Sequence, residues 1–380
     1  MYLASRTVPT LPRWCKLLWM SLLVSLRAGA PWLGGVGDGV FAGLEAPLRG
    51  LDGLRRLGLR ALGTTGGALW RDRELRVAVL GSLAVLASLV LTCAAPLWLL
   101  ALGPILLGVP HLFADLRYLV LRPGLHRRLG LWLLALPPLL VVATGGRPAI
   151  GFLAIGAAAL AARAGWRRRL PVLGLAFALC GLALCYPQAV TLWLAQLHNY
   201  VALAFFLWWR RRRGALHALP ALLILLGSAA LLLGGAEPLL QRSGGLHAPQ
   251  SGVDMETMVA TLAPDAAPRL GLRLVLLFAF AQSVHYGLWL RLIPEEDRPR
   301  PAPRPFVASL RALRADLGTP VCLLAVLASA GLCLYGLWDV QAAREGYLRV
   351  AVGHGYLEFT AAALLLCEGR RPAAAEASGA

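Results

Sequence analysis

The sequence predicts an all-α, polytopic transmembrane helical bundle of about ten spans with both termini cytoplasmic, on three observations. The chain has 380 residues and is 58% hydrophobic, too apolar for a soluble globular protein. Leu/Ala/Val runs of bilayer length recur between residues 77 and 367, and a chain in lipid must satisfy its backbone groups within helices. The net charge of +18 is nearly all arginine, with Lys16 the only lysine. Those arginines sit in short loops between the apolar runs, which is the positive-inside pattern. The basicity is therefore read as membrane topology rather than nucleic-acid binding, and the expected partner is the lipid bilayer of a bacterial-type inner membrane.

The elements follow in chain order. Residues 1–75 read as a cytoplasmic or interfacial arm. Lys16 precedes about ten apolar residues, Leu17 to Leu26, with no clear cleavage pattern, so a short interfacial helix is expected near 15–27. The Gly/Arg-rich segment carrying Arg49, Arg55, Arg56 and Arg60 suits anionic headgroups. Residues 76–368 form the transmembrane domain, with spans at 77–94, 96–121, 130–144, 148–163, 170–185, 188–209, 215–234, 270–292, 319–338 and 347–368. The third and fourth are short, and Pro137-Pro138 would kink the third. Arg71, Arg73 and Arg76, then Arg122, Arg127 and Arg128, Arg163 with Arg167–Arg169, Arg210–Arg213, the arginines of 291–314, and Arg370-Arg371 all fall on one side of a ten-span arrangement. Residues 236–269 would form an outer loop, Pro294–Pro305 an extended inner linker, and 369–380 a disordered tail. No repeat of fixed period is visible. The seven cysteines (Cys15, Cys93, Cys180, Cys185, Cys322, Cys333 and Cys367) show no metal-type spacing and read as packing residues.

Four histidines stand out because each lies inside a different apolar run: His111, His198, His285 and His354. Ionisable side chains at membrane depth are costly to bury and mark functional sites. Their host spans are the second, sixth, eighth and tenth, so all four run in the same direction. At about 1.5 Å per residue, His111 and His285 lie roughly 22 Å from the starts of their helices and His198 roughly 15 Å; His354 comes out near 10 Å with its helix beginning at 347. Asp115 follows His111 at i+4 and Glu358 follows His354 at i+4, each pair on one helix face. Gln282 precedes His285 by one turn and Tyr286 adjoins it. Asp115, Glu358, Gln282 and Tyr286 are therefore candidate orienting groups around a four-histidine metal site, with the two carboxylates also able to ligate directly.

Imidazole-rich sites suit Zn, Cu, Fe or Ni. The chain lacks the histidine boxes of a di-iron desaturase, and stacked haems would want two histidines per helix. Four single histidines meeting at one ion leave open positions for dioxygen or substrate, and Fe(II) is the expected cofactor. Rival readings from the same residues are a transporter or proton/ion relay, a haem-binding electron carrier, and an assembly protein whose histidines only pack.

The segment Gly108-Val109-Pro110-His111 with Asp115 one turn on resembles the Pro-His…Asp segment of the bacterial and archaeal membrane β-carotene 15,15′-dioxygenase (Brp/Blh) family. That resemblance implies a polytopic helical protein with a histidine-held iron inside the bundle, dioxygen as co-substrate, and an apolar carotenoid or similar lipid as substrate. The family places two of its histidines four residues apart; here each sits on its own span.

Overall fold

The structure is a computed structural model that describes residues 31–209, 214–244, 247, 249 and 252–370. All regular structure among them is helical. The interfacial helix expected near 15–27 and most of the tail lie outside the described residues.

The chain forms two compact units, one of residues up to Leu54 with Pro305–Leu324, the other of Arg55–Arg304 with Ala325 onward. The Gly/Arg-rich segment carrying Arg49, Arg55, Arg56 and Arg60 forms a continuous helix, α1 (Pro31–Ala61), of which the part up to Leu54 belongs to the first unit. It pairs with α13 (Phe306–Leu317). Asp52 accepts from the backbone N–H groups of Phe306 (2.9 Å) and Val307 (3.3 Å). This supplies the N-terminal cap that Pro305 cannot give. Glu45 takes both Arg311 (2.7 Å to each carboxylate oxygen) and Arg49 (2.8 Å). These hydrogen bonds, Arg311 first, hold its carboxyl at about 2.

The second unit carries the apolar helices: α2 (Gly63–Arg71), α3 (Arg73–Ala94), α4 (Pro96–Asp115), α5 (Leu129–Ala143), α6 (Pro148–Ala161), α7 (Trp166–Cys185), α8 (Pro187–Trp209), α9 (Leu219–Leu232), the short α10 (Glu237–Ser243) and α11 (Met255–Leu262), and α12 (Pro268–Gly287). After α13, α14 (Thr319–Trp338) leads to α15 (Val340–Glu368). Among the described residues eight helical stretches are long and apolar enough to cross a membrane, and α5 and α6 are shorter apolar helices. Proline opens α4, α6, α8 and α12, where its missing N–H is no loss. Asp72 caps α3 through Glu74 N (2.8 Å) and Leu75 N (3.2 Å), a contact worth about 1 kcal/mol.

The arginine-bearing ends of these helices gather at one end of the unit. Arg128 holds Glu368 (2.5 and 2.9 Å), Arg122 holds Asp297 (2.5 Å), and Glu74 accepts from Gly214 N (3.1 Å). At its centre Arg76 reaches Glu295 and the carbonyls of Leu69 (2.7 Å) and Trp70 (3.1 Å). Arg298, sunk among these groups and other arginines, is lowered to about 10 by burial and stays charged at neutral pH. The stretch expected as an extended linker begins instead as helix through Glu296. It then lends the carbonyls of Arg298 (2.6 Å) and Arg300 (2.5 Å) to Arg73.

Helix α15 begins at Val340, capped by Asp339 onto Ala342 N (2.8 Å), seven residues before the start the hydropathy suggests. The extra turns hold Arg344 and Glu345, which break the apolar run. Arg344 is buried, its Nε donating to the Leu100 carbonyl at 2.9 Å. Proline at 104 leaves that carbonyl without its helical donor, so one irregularity completes the other. With this start His354 lies about 21 Å along its helix, against about 22 Å for His111, 16 Å for His198 and 25 Å for His285. His354 thereby comes level with His111, while His198 and His285 still differ by about 9 Å along their helices.

Candidate metal centre

The four histidine-bearing helices close a circuit: α4 packs on α12, α12 on α8, α8 on α15, and α15 on α4. Their imidazoles repeat it. Ring centroids stand 5.2 Å apart for His111–His285, 5.1 Å for His285–His198, 5.4 Å for His198–His354 and 4.7 Å for His354–His111. The His285–His354 diagonal is 6.0 Å. All four histidines expected from the sequence are thus brought to one place.

Small residues make the approach possible. A methyl group at Gly108 would overlap the Tyr347 ring, and one at Gly353 would lie 2.7 Å from the Ala143 side chain. Both helices carrying the most buried histidines widen just beyond them, α4 into a π-helical turn at Leu116–Leu121 and α12 into another at Leu288–Leu292. Such turns recur at functional sites because they re-aim the side chains around them.

The hydrogen bonds fix which nitrogen faces inward. His111 Nδ1 lies 2.6 Å from the Gly108 carbonyl, His198 Nδ1 lies 3.1 Å from both the Leu194 and Ala195 carbonyls, and His354 Nδ1 meets the Ala351 carbonyl. A carbonyl only accepts, so the proton sits on Nδ1 and the lone pair on Nε2. Two such lone pairs, on His111 and His354, then face each other at 3.1 Å. Two lone pairs repel at that separation, and a cation between them, a proton or a metal ion, relieves the repulsion. At metal–nitrogen distances of about 2.1 Å, a 3.1 Å separation corresponds to two ligands about 95° apart.

The carboxylates lie on the same side. Asp115 Oδ2 is 4.0 Å from His111 Nε2, and Glu358 Oε1 is 3.7 Å from His285 Nε2. Both residues are fully buried. Two donor sets each have all their ligand atoms within 4.8 Å of one another: His111, His285 and His354, and Asp115, His354 and Glu358. Buried charges need pairing or a metal, so this cluster is able to bind a metal ion.

Gln282 and Tyr286 also reach the site. Gln282 lines the cavity beside it, and the Tyr286 ring lies 4.8 Å from that of His111. Three contributors escape the sequence reading. The Tyr347 hydroxyl lies 3.2 Å from His111 Nδ1 and bonds to Tyr286. Trp289 Nε1 donates to Glu358 Oε1 at 2.8 Å, from a buried stack with Phe205 and Trp209. Arg344 anchors the start of α15. Tyr347 sits two turns before His354 on the same helix, a spacing present in the sequence that the reading did not use. Tyr347→Phe is expected to weaken metal binding about tenfold, the lower end of the effect of outer-shell partners; competition with a coloured chelator reads the change.

The cluster opens on a mainly apolar cavity of about 520 Å³ lined by Leu192, Leu194, Leu262, Phe278, Val352 and Phe359, with Arg349 also on its wall. His198 and His354 are the two imidazoles that show part of their surface there.

Compared with protein-family models, curated proteins and solved structures, the chain gives no match in any of the three.

Proposed function

We propose that the chain is an integral-membrane, metal-dependent oxygenase whose ion is non-haem iron and whose substrate is an apolar lipid of carotenoid type. In this reading it crosses a bacterial-type inner membrane ten times with both termini cytoplasmic. The observation that carries it is the ring of four imidazoles, three of them with main-chain carbonyls turning the Nε2 lone pair inward, opening on a mainly apolar cavity. The local likeness of Gly108–Asp115 to the membrane carotene dioxygenases points the same way.

The donor set suits iron, which accepts mixed imidazole and carboxylate ligands. Bound there, iron would supply the activation of dioxygen. The rest falls to the chain. His111, His198, His285 and His354 would hold the ion, and main-chain carbonyls keep the Nε2 atoms of His111, His198 and His354 aimed at it. Leucine and phenylalanine walls would take an apolar substrate from the bilayer without an aqueous channel, and the aromatic stack below Glu358 would keep water out. Contact between neighbouring imidazoles leaves no slot for a porphyrin, which favours a bare ion over haem.

Metal analysis with an optical spectrum on purified wild type and His198→Ala tests this reading. Expected is iron without a Soret band, lost or depleted in the variant, with dioxygen uptake on adding a carotenoid. A Soret band, or a protein without metal, would contradict it. Leu192→Trp narrows the cavity; it is expected to lower kcat/KM about tenfold or more, some 1.4 kcal/mol at the barrier, with metal content unchanged.

A further inference from the structure

One ion does not account for the two carboxyls at the site. Neither oxygen of Asp115 nor Oε2 of Glu358 has a hydrogen-bond partner, and Trp289 holds only Glu358 Oε1. A carboxylate that orients a ligating imidazole does so from behind, accepting the second ring N–H. On three of the four rings those N–H groups are taken: His111 by the Gly108 carbonyl, His354 by Ala351, His198 by Leu194 and Ala195; neither ring nitrogen of His285 makes a hydrogen bond among the described residues. Asp115 lies toward the Nε2 edge of His111, the side its lone pair faces, and Glu358 lies 3.7 Å from His285 Nε2. A carboxyl in an apolar interior is either neutral or held against a cation, and beside imidazole lone pairs these two are placed to meet a cation.

The two donor triads share only His354. Its Nδ1 is committed to the Ala351 carbonyl, so one lone pair remains, and it serves one ion. If a single ion took four imidazoles and both carboxylates, six donors would enclose it. No position would then face the cavity that His198 and His354 line. Divided between two ions, the same donors leave open positions on each.

We propose, resting on the metal reading above, that the centre holds two divalent cations. The first lies among the imidazoles of His111, His285 and His354. The second lies between Asp115 and Glu358, which ligate directly, and at least one of these carboxylates bridges the pair. In two-metal sites the ions stand about 3.5–4 Å apart, a separation a bridging carboxylate spans. Two divalent ions exceed the charge of the two carboxylates, so the site favours an anionic oxygen ligand arriving from the cavity.

The test is an anaerobic titration of metal-free full-length protein with Co(II), followed by visible absorption and by metal content after desalting. Two equivalents per chain are expected, with the second altering the spectrum of the first through their shared bridge. Asp115→Asn and Glu358→Gln are each expected to bind one equivalent. Saturation of the wild type at one equivalent would overturn the proposal while leaving the oxygenase reading standing. No uptake would overturn both. The wild-type stoichiometry decides the matter even where a variant fails to fold.

Discussion

His354→Ala is expected to remove metal binding altogether, with affinity falling by more than about 100-fold, or roughly 2.7 kcal/mol. The residue belongs to both donor triads, and its Nε2 stands 3.1 Å from that of His111. No other side chain occupies that junction. Its loss also leaves the His111 lone pair and the two carboxyls facing an apolar gap. Metal content after desalting measures the effect. His247→Ala serves as the control, because His247 hydrogen-bonds only locally, to the Gly244 carbonyl. Equal losses in the two variants would mean that the metal is not held at the centre.

The largest effect on stability is expected at the basic end. Arg76 and Glu295 are both nearly inaccessible and join α3 to the extension of α12. Arg76→Met leaves Glu295 with Arg291 (3.1 Å) and Arg298, and strips the Leu69 and Trp70 carbonyls of a donor. Because Glu295 stays paired, the cost is that of the buried carbonyls left without a donor, about 1–3 kcal/mol. Arg76→Lys recovers only part of that, since a point charge cannot serve a carboxylate and two carbonyls in a fixed fan. Unfolding followed by tryptophan fluorescence in detergent should show a lower midpoint for Arg76→Met, with Arg76→Lys between it and wild type. Midpoints equal to wild type would contradict the structural role.

The positions of the apolar helices were legible because the chain punctuates them itself. Pro96, Pro148, Pro187 and Pro268 open helices at one end, and arginines close them at the other. Where punctuation and hydropathy disagree, legibility stops. Arg344 and Glu345 hid the first turns of α15, since no local rule says that a carbonyl freed by Pro104 on another helix will receive the guanidinium. The run of glycines at 34–43 argues against helix on propensity, yet α1 forms there, held by Glu45, Asp52 and their partners around α13.

At the centre, the position of the four histidines inside apolar runs singled them out, and the packing of their helices brings the rings together. The i+4 spacing placed Asp115 beside His111 and Glu358 beside His354. It says nothing of which ring edge a carboxyl meets. That depends on the carbonyls that capture Nδ1, on Trp289 reaching Glu358 from α12, and on Gly108 admitting the Tyr347 ring. The carbonyl contacts are made within each helix, at i−3 or i−4; the other two are contacts between helices and have no signature along the chain.

X-ray absorption at the metal edge of the purified, metal-loaded protein tests the central claim most directly. The account predicts a first shell of nitrogen and oxygen only, at about 2.0–2.2 Å, with outer-shell scattering from at least three imidazoles. A shell containing sulfur, or scattering from one imidazole or none, would contradict it.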